Sequence, residues 1–199
     1  MGDKRVIGIY GVFAVGKSFL AHGLSLRLWD YDTVATDNIL AIARDVDNKN
    51  LYLQQSSYLA WRVLGKKTLE NIIEGFRKYR ESLQPFIRII LDRAYKQRVD
   101  MIIEGIHISP DVFQEYEGLL DTRPILITVK DKNIHWERIK QKCLDRPALL
   151  KRFAPYFDIA RDLQDFLIEE AEIYGIPIID NSRNKGHTLE KIWLNLIKC

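Results

Sequence analysis

Five short apolar runs recur along the 199-residue chain: "RVIGIYG" at 5–11, "YDTVAT" at 31–36, "DMIIEGI" at 100–106, "PILITVK" at 124–130 and "IPIID" at 176–180. Most are continuous rather than alternating, the pattern of parallel strands covered on both faces. Between them the apolar residues fall at helical spacing. The chain therefore reads as successive β-α-β units and predicts an α/β fold with a parallel sheet flanked by helices. The interval between the second and third runs is longer than a crossover needs. Its phrases "NILAIARDV", "LYLQQSSYLAWRVLG" and "TLENIIEGFRKYRESLQPFIRIILDRAYKQR" predict helix throughout 38–99. Pro85 is expected to kink or divide the last of them. We expect one domain over 1–199, with this helical insertion holding substrate; the plainer alternative is extra helical cover for the sheet.

Composition adds little to that picture. The chain is 47% hydrophobic and 29% charged, ordinary for a soluble globular protein. Its net charge of +3 is mild, whereas a strong nucleic-acid binder carries a larger, clustered excess. The two cysteines, Cys143 and Cys199, are far apart and lack zinc-site spacing, so a reducing cytoplasm is expected. No signal-peptide pattern and no stretch long enough to span a membrane is seen.

Chemistry enters with "GVFAVGKS" at 11–18, which matches GxxxxGK[ST] between a predicted strand and a predicted helix. Gly11 and Gly16 let the backbone turn and approach a phosphate. The N–H groups of Val12, Phe13, Ala14, Val15 and Gly16 then form a cradle at a helix N-terminus. Lys17 is expected on the β- and γ-phosphates of ATP and Ser18 on Mg²⁺, with Phe19 the last of the expected nucleotide contacts. A bare strand–helix turn is the alternative.

Two carboxylates sit at strand ends, where ligands bind in open α/β sheets. Asp37 follows the second run and is expected to orient an acceptor hydroxyl and take its proton; otherwise it only caps a helix. Glu104 ends "MIIEG" and suits a carboxylate that holds Mg²⁺ or helps order the nucleophile. Gly105 permits a close backbone approach beside it, and His107 is either a substrate contact or structural. The stretch "RIKQKCLDRPALLKR" at 138–152 reads as a basic lid over about 136–153. Arg138, Arg146 and Arg152 are its candidates for pairing with phosphate oxygens; a solvated helix face is the alternative.

The phrases "GVFAVGKS", "VATDNILAIAR", "LQQSSYLAW", "IIEGFRKYRESLQPFIRIILDRA", "DMIIEGIHISP" and "ARDLQDFLIEEAEIYGIPIIDN" together resemble the archaeal 2-phosphoglycerate kinase family, within the P-loop kinases. The resemblance covers most of the chain. It implies transfer of the ATP γ-phosphate to the 3-hydroxyl of 2-phosphoglycerate, giving 2,3-bisphosphoglycerate. It also implies a five-stranded parallel sheet whose phosphate-loop strand lies between the strands ending at Asp37 and Glu104. Asp37 matches the family's substrate-side acid, Glu104 its Walker B acid and Arg44 a basic position. The sequence departs from the family at Phe19, where Thr is common, at Leu40, where Arg is expected, and at Asp111, which replaces a Gly-rich ending. Family members are often longer, with an N-terminal extension that is not part of this sequence.

On this reading ATP lies on 11–18 with its adenine near "DNSRN" at 180–184, where Asn181 is a contact. A small phosphorylated or polyhydroxy acceptor enters beside Asp37, with Arg44, Ser57, Arg77 and Arg152 available to its anionic group. Two other classes stay open: a nucleoside, nucleotide or RNA-end kinase, and a nucleotide-binding module without phosphotransfer. A guanine-specific switch is disfavoured, since "NKGH" at 184–187 lacks the acid of Asn-Lys-x-Asp.

Overall fold

The structure, a computed structural model, describes residues 4–183 and 185–197. Cys199 and Asn184, the last residue of the expected adenine loop, lie outside the described residues. The five apolar runs form five parallel strands: β1 (Arg5–Tyr10), β2 (Asp32–Ala35), β3 (Met101–Glu104), β4 (Asp121–Thr128) and β5 (Ile178–Asp180). All pair in parallel in the order β2-β3-β1-β4-β5. The continuous runs have the cause expected of them. Val6, Ile7, Ile9 and Tyr10 of β1 and Met101, Ile102 and Ile103 of β3 are fully buried, on both faces of the sheet.

One topological expectation is corrected. The strand that feeds the phosphate loop is central, but its neighbours are β3 and β4. Strand β3 lies between β1 and β2, and Glu104 stands level with Ile9 on one side and Ala35 on the other. Asp37 is therefore one strand farther from the loop than the expected order puts it, and Glu104 occupies the space between.

Helices cover the sheet: α1 (Lys17–Ser25), α2 (Thr36–Val46), α3 (Leu69–Gln97), α4 (Pro110–Gln114), α5 (Lys132–Lys142), α6 (Pro147–Phe153), α7 (Phe157–Ile173) and α8 (Lys185–Ile197). The 38–99 interval is less helical than its spacing predicts. Residues 51–59 form turns, followed by one 3₁₀ turn at Ala60–Val63. Side chains compete with the helix for its backbone there. The Asn50 amide oxygen accepts from the N–H groups of Tyr52 and Leu53, at 3.1 and 3.3 Å. Arg44 donates to the carbonyls of Leu53 and Gln55, at 2.7 and 2.6 Å, groups a helix would have kept.

Helix α3 runs unbroken through Pro85. Its buried face is long, with Ile72, Phe76, Tyr79, Leu83, Ile87 and Leu91 at helical spacing. That burial outweighs the one backbone bond Pro85 forfeits on the exposed side. Arg80 is almost wholly buried on the same face and forms a bidentate pair with Glu170 of α7. Its guanidinium also lies against the Phe76 and Phe166 rings, which ties α3 to α7 beneath the site.

Candidate active site

The loop 11–16 joins β1 to α1 at the C-terminal edge of the sheet, and its carbonyls are held from outside. Lys17 Nζ donates to the Val12 carbonyl at 2.9 Å. His135 of α5 bonds the Phe13 carbonyl at 2.9 Å. Arg138 of α5 and the Asn181 amide both donate to the Val15 carbonyl, at 3.2 and 2.7 Å. None of the N–H groups of residues 13–16 meets an acceptor among the described residues. Carbonyls drawn back with amides left unpaired make an anion cradle at a helix N-terminus. Gly16 is required here: its φ is 103°, and a Cβ would come within 2.6 Å of Asn181 Nδ2.

Lys17 is half-buried, and desolvation first of all pulls its pKa down to about 8, partly offset by the carboxylates of Glu104 and Asp37. A phosphate beside it would restore the charged form. Ser18 Oγ donates to Glu104 Oε1 at 2.9 Å. Among the described residues no three His, Cys, Asp or Glu side chains gather to hold a metal. One hydroxyl beside one carboxylate nevertheless fits Mg²⁺, which keeps several waters and takes its other ligands from phosphate oxygens.

Behind Glu104 a buried hydrogen-bonded string links β3, α2 and α3. His107 Nδ1 lies 2.6 Å from Thr36 Oγ1, and its Nε2 lies 2.7 Å from the Tyr79 hydroxyl. Burial raises the Tyr79 pKa and lowers that of His107 to about 4, so the phenol keeps its proton and the ring is neutral. Among the described residues the Tyr79 hydroxyl has no second partner, which assigns the direction: Tyr79 O–H donates to Nε2, and Nδ1–H donates to Thr36. Gly105 makes room for this arrangement. Its φ is 152°, and a Cβ there would overlap the Thr36 hydroxyl. The close approach that Gly105 permits is thus that of Thr36. Asp37, next along α2, has an exposed carboxylate 3.9 Å from His107 Nδ1.

Two cavities meet at the loop. The first, about 300 Å³, is lined by Lys17, Ser18, Asp37, Glu104, Gly105 and His107 on the sheet side. Arg44, Ser56, Ser57, Tyr58, Arg152 and Phe153 line its other side. The second, about 380 Å³, is lined by Ala14, Gly16, Phe19, Arg138 and Gln141 together with Lys17 and Ser18. The roof of the first is tied down. The Phe153 ring of α6 stacks on Phe13 of the loop at 5.0 Å, and Tyr58 packs edge-on against both. Arg152 donates to the Tyr58 hydroxyl at 3.1 Å and to Ser56 Oγ at 3.2 Å.

Lys17, Ser18, Asp37, Glu104, Gly105, His107, Arg44, Ser57 and Arg152 thus line one cavity. Four candidate residues stand otherwise, the first being Asn181, which is fully buried, holds the Val15 carbonyl and lines neither cavity. Arg138 lines the second cavity, but its bonds go to the carbonyls of Val15, Asn181 and Arg183, so it supports the loop. Arg77 lies outside both cavities, over the Phe166 ring and near Glu74, because its position on α3 faces α7. Arg146 precedes α6 and lines neither cavity. Sequence reading passed over Thr36, Tyr58, Tyr79, Phe153 and Lys142; "SSYLAW" and the basic stretch were the available signals.

A Gly-Lys-Ser loop after the central strand of a 2-3-1-4-5 parallel sheet, with an acid ending the adjacent strand, defines a P-loop kinase fold. Solved structures bear this out. Shikimate kinase from Acinetobacter baumannii superposes with a TM-score of 0.57 at 11% identity, covering 98% of this chain and 93% of that one. Deoxyadenosine kinase from M. mycoides gives 0.53 at 14% identity, covering 98% and 100%. No family model matches the sequence. Curated relatives do. The chain is 30% identical over 197 residues to 2-phosphoglycerate kinase of Methanocaldococcus jannaschii, covering 96% of this chain and 62% of that protein. It is 32% identical over 187 residues to that of Methanopyrus kandleri, covering 90% and 57%. It is 31% identical over 183 residues to that of Pyrococcus horikoshii, covering 88% and 59%. The chain is thus a relative of the archaeal 2-phosphoglycerate kinases, the family its phrases resemble, and spans less than two thirds of the length of these relatives.

Proposed function

We propose that the protein transfers the γ-phosphoryl group of ATP to a hydroxyl of a small anionic acceptor, with 2-phosphoglycerate as the acceptor and 2,3-bisphosphoglycerate as the product. The observation that carries this reading is the first cavity. Lys17, Ser18 and Glu104 lie at its floor, and Arg44 and Arg152 with the hydroxyls of Ser56, Ser57 and Tyr58 lie around it. A cavity of about 300 Å³ suits a three-carbon acid, and two guanidinium groups suit a ligand with two anionic groups. The names of the relatives point the same way.

The loop amides and Lys17 hold the β- and γ-phosphates. The nucleotide extends along the second cavity toward Arg138 and Asn181. Mg²⁺ held at Ser18 and Glu104 would offset charge on the phosphates. The acceptor lies under α6, which acts as a lid, with Arg152 and Arg44 on its anionic groups. Asp37 orients the hydroxyl in line and takes its proton. As the new O–P bond forms, the bond from the γ-phosphorus to the bridging oxygen breaks, and its electron pair leaves with ADP. The neutral Thr36–His107–Tyr79 string holds the end of α2 that carries Asp37.

The test is a phosphorus NMR assay with ATP-Mg²⁺ and 2-phosphoglycerate, 3-phosphoglycerate, glycerate, shikimate or deoxyadenosine as acceptor. The expected result is 2,3-bisphosphoglycerate from 2-phosphoglycerate alone. Turnover of another acceptor with none of 2-phosphoglycerate would overturn the assignment. Asp37→Asn is expected to lower kcat by about 10²–10⁴-fold with ATP affinity unchanged.

A further inference from the structure

Three side chains line both cavities: Lys17, Ser18 and Lys142. The first two belong to the phosphate loop. The third does not. Lys142 ends α5, opposite the loop, where the segment leading to α6 begins. From the geometry we infer that Lys142 is a catalytic residue whose ammonium contacts the phosphoryl group as it passes from the second cavity to the first. This inference rests on the reading of the protein as a kinase but not on the identity of the acceptor.

Three observations converge on Lys142. It is placed at the junction by its lining of both cavities, which are the donor and acceptor sides of the proposed transfer. It is uncommitted: among the described residues it forms no ion pair and no hydrogen bond, and it is exposed. Its neighbour Lys140 pairs with Glu137 instead. Its charge is also felt at Lys17, where it opposes protonation, while Glu104 and Asp37 favour it. Two ammonium groups converging without an anion between them repel. An oxyanion lying between them relieves that repulsion, so the pair is suited to the γ-phosphate.

The two arginines of the basic stretch that line the cavities are placed elsewhere. Arg138 is bonded to backbone carbonyls, and Arg152 is bonded to Tyr58 and Ser56 at the acceptor end. The chemistry balances without proton transfer from Lys142. The acceptor oxygen bonds to phosphorus, its proton passes to Asp37, and the bridging oxygen departs with the electron pair on ADP. Lys142 keeps its proton and neutralises charge on the equatorial oxygens. Its place on α5 makes that contact dependent on the segment between α5 and α6, so the donor phosphate is grasped from the lid side as well as from the loop.

The experiment compares wild type with Lys142→Met, Lys142→Arg and the control Lys140→Met. Calorimetry measures the affinities for ATP-Mg²⁺ and ADP-Mg²⁺, and turnover is followed with whichever acceptor the screen identifies. For Lys142→Met we expect kcat to fall about 100-fold and the preference for ATP over ADP to shrink about tenfold. ADP affinity and thermal stability should be unchanged. Lys142→Arg should recover part of the loss, and Lys140→Met should match wild type. Unchanged kcat and unchanged ATP preference in Lys142→Met would overturn the inference. So would an equal loss of ATP and ADP affinity, which would make Lys142 a general nucleotide contact. The nucleotide measurements need no acceptor, so they stand apart from failure of the 2-phosphoglycerate assignment.

Discussion

The two cavities are built by different means. The side proposed for the nucleotide is mostly backbone: one loop of consecutive residues presents N–H groups, and Lys17, His135, Arg138 and Asn181 hold its carbonyls back. The side proposed for the acceptor is side chains, drawn from the ends of β3 and α2, the turns at 56–58, and α6. A backbone cradle recognises phosphate whatever carries it. A wall of side chains can be changed piece by piece, so on the proposed reading specificity is set there.

Substitutions should respect that division. Lys17→Met strikes the one cation of the cradle that lines both cavities, and should lower ATP affinity and turnover together by about 10²–10³-fold. A variant that binds ATP-Mg²⁺ normally in calorimetry would remove the nucleotide reading.

Each side contains one buried neutral histidine, His135 under the loop and His107 behind Asp37. Burial first of all lowers the pKa of both to about 4. Above the unfolded value near 6.5 neither state binds the proton, and stability is complete. As pH falls from 6.5 toward 4 the unfolded chain takes up protons that the native rings refuse, so stability is lost across that window, on the order of 3 kcal/mol for each ring. Urea unfolding at pH 7 and pH 4.5 measures it. His107→Gln and His135→Gln should each flatten the dependence by about half, and a dependence that survives both changes would place its origin elsewhere.

Arg152→Gln removes a charged donor from the acceptor wall alone. It should raise the acceptor KM roughly 10–100-fold, as expected for losing one charge-assisted bond, and leave ATP affinity as it is. Equal loss on both sides would mean that α6 serves the loop and not the acceptor. The smallest effect is that of Tyr79→Phe, which deletes the donor to His107 Nε2 at a cost of about 1 kcal/mol in stability. The effect should appear in kcat through Asp37 and be absent from nucleotide binding.

Much of this was legible in the chain itself, and for a local reason. A parallel strand buried on both faces writes a continuous apolar run, and a phosphate loop needs its glycines, lysine and serine within eight consecutive positions. Both signals survive without knowledge of neighbours, so the five strands, the loop and the acids Asp37 and Glu104 could be read directly. Local reading failed where side chains outside a segment compete for its backbone or where packing overrides a local signal. The 51–59 segment has helical spacing, but Arg44 and Asn50 hold its backbone in turns. Pro85 looked like a break, but the buried face of α3 carries the helix through it.

What only the tertiary structure decided is which distant residues meet. Inserting β3 between β1 and β2 sets Glu104 beside Ser18. The crossing of α3 brings Tyr79 to His107, turns Arg77 away toward α7 and leaves Arg80 paired with Glu170. The return of α5 over the loop places Lys142, one lysine of a basic stretch, where the two cavities join. The sequence determined the elements and the phosphate loop because those depend on near neighbours. The acceptor wall and its junction with the loop depend on contacts between segments far apart in the chain, and packing alone selects them.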